Sequence, residues 1–303
     1  MSSAGAAAAL RSWLFVPGDS ERKQVKALSS AADALILDLE DSVDPAQRPA
    51  ARARIAQLLA ATRAGPQLWV RVSAPGGDTL AQDLAHTCAR HLPAGIVLPK
   101  VSSAQEIIAA AERLAVLEAA RGEAAGRVRL LALVTETPAG LLALPQYPQV
   151  LGASAVTRAH LAGFTWGAED LSAALGAGGK RDRTGALTFT FELARAHCLL
   201  AAAALDVQAV DGVNTEFRDA AALQRELEDA RRDGFGGKLA IHPDQVAPIN
   251  AAFSPTAAER EHAQRVLAAF AAAGNSGVAS LDGQMIDRPH LLQAQRILAA
   301  SKG

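Results

Sequence analysis

The chain has 303 residues, half of them hydrophobic, with 30 Lys and Arg against 31 Asp and Glu and a formal net charge of −1. That length admits one large α/β domain or two small ones, with apolar residues enough for a sizeable core. Mixed, nearly balanced charge argues against a nucleic-acid partner and a basic membrane patch, and no apolar run reaches the roughly 18 residues of a spanning helix. The two cysteines, Cys88 and Cys198, lie far apart in apolar helical contexts. They read as buried reduced thiols, which suits a cytoplasmic protein rather than a disulfide framework.

Residues 1–10 are Ala-rich and lack the basic segment and apolar core of a signal peptide, so they read as a flexible leader. A first strand over Trp13–Gly18 closes on Pro17-Gly18, and a helix follows over Asp19–Ser30, capped by Ser20 or Asp19. The second strand, Ala34–Asp41, is apolar until its acidic end, and Pro45–Ala61 is helical. Leu68–Ser73 is the third strand, followed by the Pro75–Asp78 loop and a helix over Asp83–His91. Gly95–Val101 is the fourth. A long helix then runs to Ala120, with Glu106 in capping-box relation to Ser103. The fifth strand, 128–136, ends on Glu136, and Thr137-Pro138 supplies a cap and a first-turn proline. The sixth, 162–168, runs into Glu169-Asp170. Next come a helix over Phe189–Leu205, a strand over Ala209–Asn214, a helix over Glu216–Arg232 and an eighth strand over Gly237–His242. Beyond Ile249 lie a helix over Pro255–Ala273, the Gly-rich stretch Gly274–Gly277, a short element over Ser280–Met285 and a last helix over Pro289–Ala300.

Apolar strands alternating with helices argue for a parallel sheet covered on both faces. Eight such units over roughly 240 residues predict an α/β fold of the TIM (β/α)8 barrel type. The barrel is placed at residues 11–252, with residues 253–303 as a C-terminal helical lid. A doubly wound nucleotide fold is disfavoured: the first strand ends in Val-Pro-Gly-Asp, and Gly176, Gly178 and Gly179 follow the sixth strand as a loop.

In a barrel the reactive groups sit at the carboxyl ends of the strands. Collecting those ends gives Asp38, Glu40, Asp41, Arg71, Lys100, Glu136, Asp170, Asn214 and His242. Each has a plainer reading. Asp41 and Asp170 can cap helices, Arg71 can form a structural pair with Glu40, and His242-Pro243 can be a turn. Capping does not account for the whole set. Glu136 and Asp170, from neighbouring strands, can hold a divalent metal. Oxygen-rich surroundings without His or Cys favour Mg²⁺ or Mn²⁺. No Zn²⁺ motif and no Gly-x-Ser-x-Gly elbow is present.

Several stretches together resemble the CitE-like branch of the HpcH/HpaI aldolase/citrate lyase superfamily: Arg11–Gly18, Leu37–Val43, Val70–Val72, Val97–Lys100, Glu136-Thr137, Gly167–Leu171 and Ile241–Val246. The resemblance covers nearly the whole chain, with one departure at Ser73, where many relatives carry Asn. It implies a TIM barrel, Mg²⁺ on Glu136 and Asp170, and a substrate acyl or acid group on Arg71. Leu281–Pro289 resembles the lid of malyl-CoA and citramalyl-CoA lyases, which implies that Asp287 is a catalytic acid/base given to a neighbouring subunit in a homo-oligomer, commonly a trimer. Its alternative is a cap for the final helix. The expected catalytic set is Arg71, Asp287, Glu40 and Asp41. Glu136, Arg71 and Lys100 are expected to bind the substrate. Phe15, Arg22 and Lys23 are expected to meet CoA, the alternative for the two cations being solvated helix charges. The implied activity is Mg²⁺-dependent retro-Claisen cleavage of (S)-citramalyl-CoA or malyl-CoA to acetyl-CoA plus pyruvate or glyoxylate. The alternatives are a citryl-thioester lyase, a malyl-CoA thioesterase, or a non-catalytic binding subunit.

Overall fold

Eight short apolar segments pair side by side and in parallel until the last meets the first. The structure, a computed structural model, describes residues 10–62, 64–274 and 277–300. Residues 1–9 of the expected leader, and two residues of the Gly-rich stretch, lie outside the described residues. In chain order the elements are β1 Ser12–Pro17, α1 Glu21–Leu28, β2 Ala34–Asp38, α2 Arg48–Ala61, β3 Gln67–Arg71, α3 Asp78–Thr87, β4 Gly95–Leu98 and α4 Ala104–Ala119. They continue as β5 Arg129–Leu133, α5 Pro138–Ala143, α6 Tyr147–Ala153, α7 Ala155–His160, β6 Leu161–Thr165, α8 Ala168–Leu175, α9 Phe189–Ala204, β7 Gln208–Asp211, α10 Ala220–Asp233, β8 Gly237–Ala240 and α11 Val246–Phe253. Strands β1 to β8 close into a barrel in sequence order, β8 returning to β1. The expected fold is present.

Alternation along each strand sorts the core into two layers. Trp13, Ile36, Trp69, Val97, Leu131 and Leu239 fill the barrel interior. Leu35, Leu37, Val70, Leu130 and Phe164 face the surrounding helices. Each fully buried aliphatic side chain contributes about 1.5–3 kcal/mol. Trp13 and Trp69 meet edge to face at 4.7 Å. Gly95 makes that possible, since a Cβ there would lie 2.3 Å from the Trp69 ring.

The strands end earlier than their apolar patterns predict, most clearly β2, whose pairing stops at Asp38 rather than Asp41. Helix α3 begins at Asp78, not Asp83. Asp83 is fully buried mid-helix, taking Arg52 Nε at 2.6 Å and the Ser73 N–H at 2.7 Å. Helix α10 begins after Asp219, whose side chain caps it by accepting the Ala222 N–H. Ser103 occupies the cap position of α4 without a side-chain bond, and Glu106 accepts the Ser102 N–H instead. Thr137 caps α5 as expected, with Pro138 in its first turn. Both cysteines are buried and unpaired.

The C-terminal segment is not purely helical. Helix α12, Ala257–Ala272, is followed by a hairpin of β9 Val278–Leu281 and β10 Gln284–Asp287, then α13 Arg288–Ala300. Asp282 and Gly283 both take positive φ, the conformation a two-residue hairpin turn requires. Val266, Phe270, Ala279, Ile286 and Ala294 form a small core of their own, apart from the barrel's. Among the described residues no helix is long and apolar enough to cross a membrane.

Candidate active site

The register of β2 on β3 sets Asp38 beside Arg71. Ile36 and Trp69, two residues earlier on each strand, face inward, so both polar side chains point into the barrel mouth. Arg71 donates from Nε to Asp38 Oδ1 at 2.6 Å and from Nη2 to Oδ2 at 2.7 Å, a bidentate fork. Its Nη1 lies 3.4 Å from Asp41 Oδ2 and 3.1 Å from Glu40 Oε2. The Phe15 ring supports the guanidinium at 4.9 Å. The expected ion pair of Arg71 with Glu40 is present, but Asp38 is the bidentate partner, and Glu40 Oε2 makes no hydrogen bond of good geometry. Burial alone would favour neutral forms of both Arg71 and Asp38, but their mutual hydrogen bonds and charges outweigh it and keep both ionised.

Lys100 follows β4 with a φ of 52°, the left-handed region that a lysine rarely enters. That conformation aims its backbone N–H at Glu136 Oε2, 2.6 Å away. Its ammonium bonds Glu40 Oε1 and Asp41 Oδ1 and lies 3.4 Å from Asp170 Oδ1. The cluster thus joins five carboxylates, Asp38, Glu40, Asp41, Glu136 and Asp170, to two cations, Arg71 and Lys100. Excess negative charge in a buried mouth raises proton affinity. Burial, with the neighbouring Asp41 charge, pushes Glu40 up to about 7. Burial, with the Asp170 and Glu40 charges, pushes Glu136 up to about 8.

Glu136 and Asp170 meet across the turn from β6 to α8. Gly167 has no side chain, and a Cβ there would lie 2.7 Å from Glu136 Cγ and 2.9 Å from Oε1. Asp170 stands in the first turn of α8. The donors fit a hard divalent cation: both are carboxylates, and the surplus charge calls for one. Among the described residues no three His, Cys, Asp or Glu groups cluster at metal-binding spacing. Two protein ligands with the remaining positions left to water or substrate is how Mg²⁺ is usually held.

A cavity of about 770 Å³ opens over these groups. Phe15, Arg22, Lys23, Asp41, Arg71, Glu136 and Asp170 line it, as does His242, which stacks on Phe217 at 4.9 Å. Glu40 and Lys100 lie behind its wall, joined to Asp41. Asn214 is buried away from it, its carbonyl accepting from Gln245. Asp287 is not part of the cavity. It precedes α13 and its Oδ1 pairs with His290 Nδ1 at 2.6 Å.

The sequence profile of one family, HpcH/HpaI aldolase/citrate lyase, matches residues 11–243, the barrel and its rim. The chain belongs to the HpcH/HpaI aldolase/citrate lyase family. Among proteins related to this family member is the (3S)-malyl-CoA thioesterase of Cereibacter sphaeroides strain ATCC 17029, 35% identical over 297 residues, which are 96% of this chain and 94% of the other. The mitochondrial citramalyl-CoA lyase of Homo sapiens is 32% identical over 290 residues, 94% of this chain and 83% of the other. The crystal structure of CitE from Mycobacterium tuberculosis in complex with magnesium, acetoacetate and coenzyme A matches with a TM-score of 0.76. It is 33% identical, covering 97% of this chain and 99% of that one.

Two features of the HpcH/HpaI site escape a local reading of the sequence. Asp38 is recognisable as a rim acid, but its bond to Arg71 follows only from strand register. Trp166 and Gly167 form the wall beside the acid pair. Their signal is the Trp-Gly step before Glu169-Asp170, which on its own reads as a strand end.

Proposed function

We propose that this protein is a Mg²⁺-dependent acyl-CoA lyase that cleaves (S)-citramalyl-CoA or malyl-CoA to acetyl-CoA and pyruvate or glyoxylate. The observation that carries this is the pairing of buried Glu136 with half-buried Asp170 beside Arg71, in one cavity whose outer wall bears Arg22 and Lys23. The names of the human relative and of the ligands in the CitE complex point the same way. Held by Glu136 and Asp170, Mg²⁺ would supply Lewis-acid charge and a template for the substrate's carboxylate and hydroxyl oxygens.

The residues divide the remaining work. The substrate hydroxyl proton passes to a base, and the bond between the carbinol carbon and the thioester α-carbon breaks. Its electron pair leaves as the thioester enolate, and the carbinol becomes the keto group of pyruvate or glyoxylate. Arg71, locked by Asp38, places fixed positive charge where the enolate oxygen develops negative charge. Glu40, poised near 7, and Asp41 are the acid–base groups of the same protomer. Asp287 of a second protomer returns a proton to the enolate carbon. Residues 253–303 act as the lid that carries it, in a homo-oligomer read as a trimer. Phe15, Arg22 and Lys23 meet the CoA portion, and Lys100 orders the carboxylates around the substrate. The two unpaired thiols support a cytoplasmic setting.

Hydrolysis of malyl-CoA is the second reading, favoured by the name of the Cereibacter relative. Assaying each thioester for free CoA thiol and for keto acid separates the two. A lyase yields acetyl-CoA and keto acid without free thiol; a thioesterase yields free thiol and malate. Citryl-thioesters belong in the same panel. Absence of any turnover and of Mg²⁺ binding would leave a non-catalytic binding subunit.

A further inference from the structure

A second buried ionic cluster lies on the helix side of the barrel wall. Asp211 ends β7, and its neighbour Val210 faces the barrel interior, so Asp211 points outward. Its Oδ2 lies 2.8 Å from Lys238 Nζ and its Oδ1 3.0 Å from Arg195 Nε. Lys238, equally buried, also reaches Glu226 at 3.1 Å. Arg195 also reaches Asp233 at 2.6 Å and lies over the Phe235 ring at 4.5 Å. Burial alone would raise Asp211, but the charges of Lys238 and Arg195 outweigh it and keep the carboxylate ionised.

The remaining partner of Asp211 is Trp166, whose Nε1–H donates to Oδ1 at 2.7 Å. An ionised acceptor makes this a strong bond. Trp166 lines the rim cavity and stands directly before Gly167. The Gly167 N–H donates to Thr135 Oγ1 at 3.2 Å, its missing Cβ leaves room for Glu136, and Asp170 follows three residues on. The turn is therefore anchored twice: by Thr135 from the neighbouring strand end, and by Asp211 through the indole. Gly212 leaves room for the indole in this position, since a Cβ there would lie 3.1 Å from its Nε1.

We propose that Trp166, fixed by Asp211, is a positioning residue for the Glu136–Asp170 pair, setting the turn on which the spacing of the two carboxylates depends. This rests on the metal reading above. Mg²⁺ demands near-ideal octahedral geometry, so a small displacement of one carboxylate weakens it disproportionately.

Two substitutions separate positioning from general stability. Trp166→Phe removes the N–H and leaves Asp211 with both cations, so no buried charge is orphaned. Asp211→Asn keeps an acceptor for the indole but sets an amide donor against Lys238. Mg²⁺ binding by titration calorimetry, and Tm of the metal-free protein, are measured for both. Trp166→Phe should weaken Mg²⁺ by about tenfold, the low end of outer-shell effects. Asp211→Asn should lower Tm more while holding Mg²⁺ within about twofold of the unaltered protein, because the indole bond survives. Unchanged Mg²⁺ affinity in Trp166→Phe overturns the inference. So does an affinity loss that simply follows Tm across the two variants. An unaltered protein that binds no Mg²⁺ instead removes the metal reading itself, and this inference with it.

Discussion

Two of the three guanidinium nitrogens of Arg71 are committed to Asp38, and this limits what can replace it. A lysine ammonium cannot hold Asp38 through two bonds and still present charge to the cavity. Arg71→Lys should therefore lower kcat by about 10²–10³, the scale of losing one oxyanion donor, with a smaller change in KM. Steady-state kinetics on either thioester checks this; a variant with normal kcat would reduce Arg71 to a structural partner of Asp38. Glu136 makes a different kind of statement, about pH. Its ordinary value of 4.5 rises to about 8 in the folded protein, through burial and the Asp170 and Glu40 charges. Between those values the native state holds a proton that the unfolded chain has released. The contribution is complete below the unfolded value and is lost as pH rises through the folded one. Tm of the metal-free protein should fall from about pH 5 to about pH 8 through this group. Mg²⁺ must displace the same proton, so below pH 8 its affinity should weaken by about tenfold per pH unit, with proton release seen in buffers of different ionisation enthalpy. Mg²⁺ affinity that is flat across this range would show that Glu136 is not a ligand.

At the scale of elements, two glycines divide stability from function. A Cβ on Gly95 meets the Trp69 ring inside the barrel, whereas one on Gly167 meets the Glu136 side chain. Gly95→Ala should cost about 1–3 kcal/mol by overpacking and leave Mg²⁺ binding intact. Gly167→Ala should weaken Mg²⁺ with a smaller change in Tm. Melting curves and metal titrations of the two proteins check the pattern, and a reversal would mean that the acid pair tolerates displacement. The same elements show what could be read in advance. The eight strands were legible because each is a short apolar run, buried on both faces, between helical segments. Their ends were not, because the rim residues beyond β2 still point into the mouth after pairing has stopped. Glu40 and Asp41 therefore join the rim cluster although they lie beyond the paired strand. The start of α3 is not legible because Asp83 has the composition of a first-turn acid; its burial against Arg52 is a tertiary contact. The Asp38–Arg71 fork needs the register between strands 33 residues apart. The Asp211 cluster gathers β7, β8, α9 and α10, and only the lone charge of Lys238 within an apolar strand hinted at it.

For the whole molecule, the question is how Asp287 could reach chemistry at a rim that its own chain does not bring it to. The segment from α12 to α13 packs around its own core, apart from the barrel's, and is joined to α10 by the Arg231–Glu259 ion pair. Met285 and Leu292, on either side of Asp287, are exposed apolar side chains that a neighbouring copy could cover. Asp287 is engaged by His290 rather than capping α13 through a backbone bond, so the plainer role of cap has little support in the geometry. If Asp287 serves a second protomer, Asp287→Asn should cut kcat by about 10²–10⁴, the usual scale for a positioned acid or base. Mg²⁺ affinity and Tm should stay near those of the unaltered protein. A local structural role would give the opposite pattern, a modest loss of Tm with full activity. Complementation decides between a site within one chain and a site shared between two. Arg71→Lys and Asp287→Asn proteins, each nearly inactive, are mixed and allowed to exchange subunits. In a closed ring each site takes Arg71 from one subunit and Asp287 from the next, so random exchange of equal amounts should restore roughly a quarter of the sites. Native mass spectrometry establishes that exchange has occurred. Mixed assemblies without recovered activity would confine the chemistry to one chain and leave Glu40 and Asp41 as its acid–base groups.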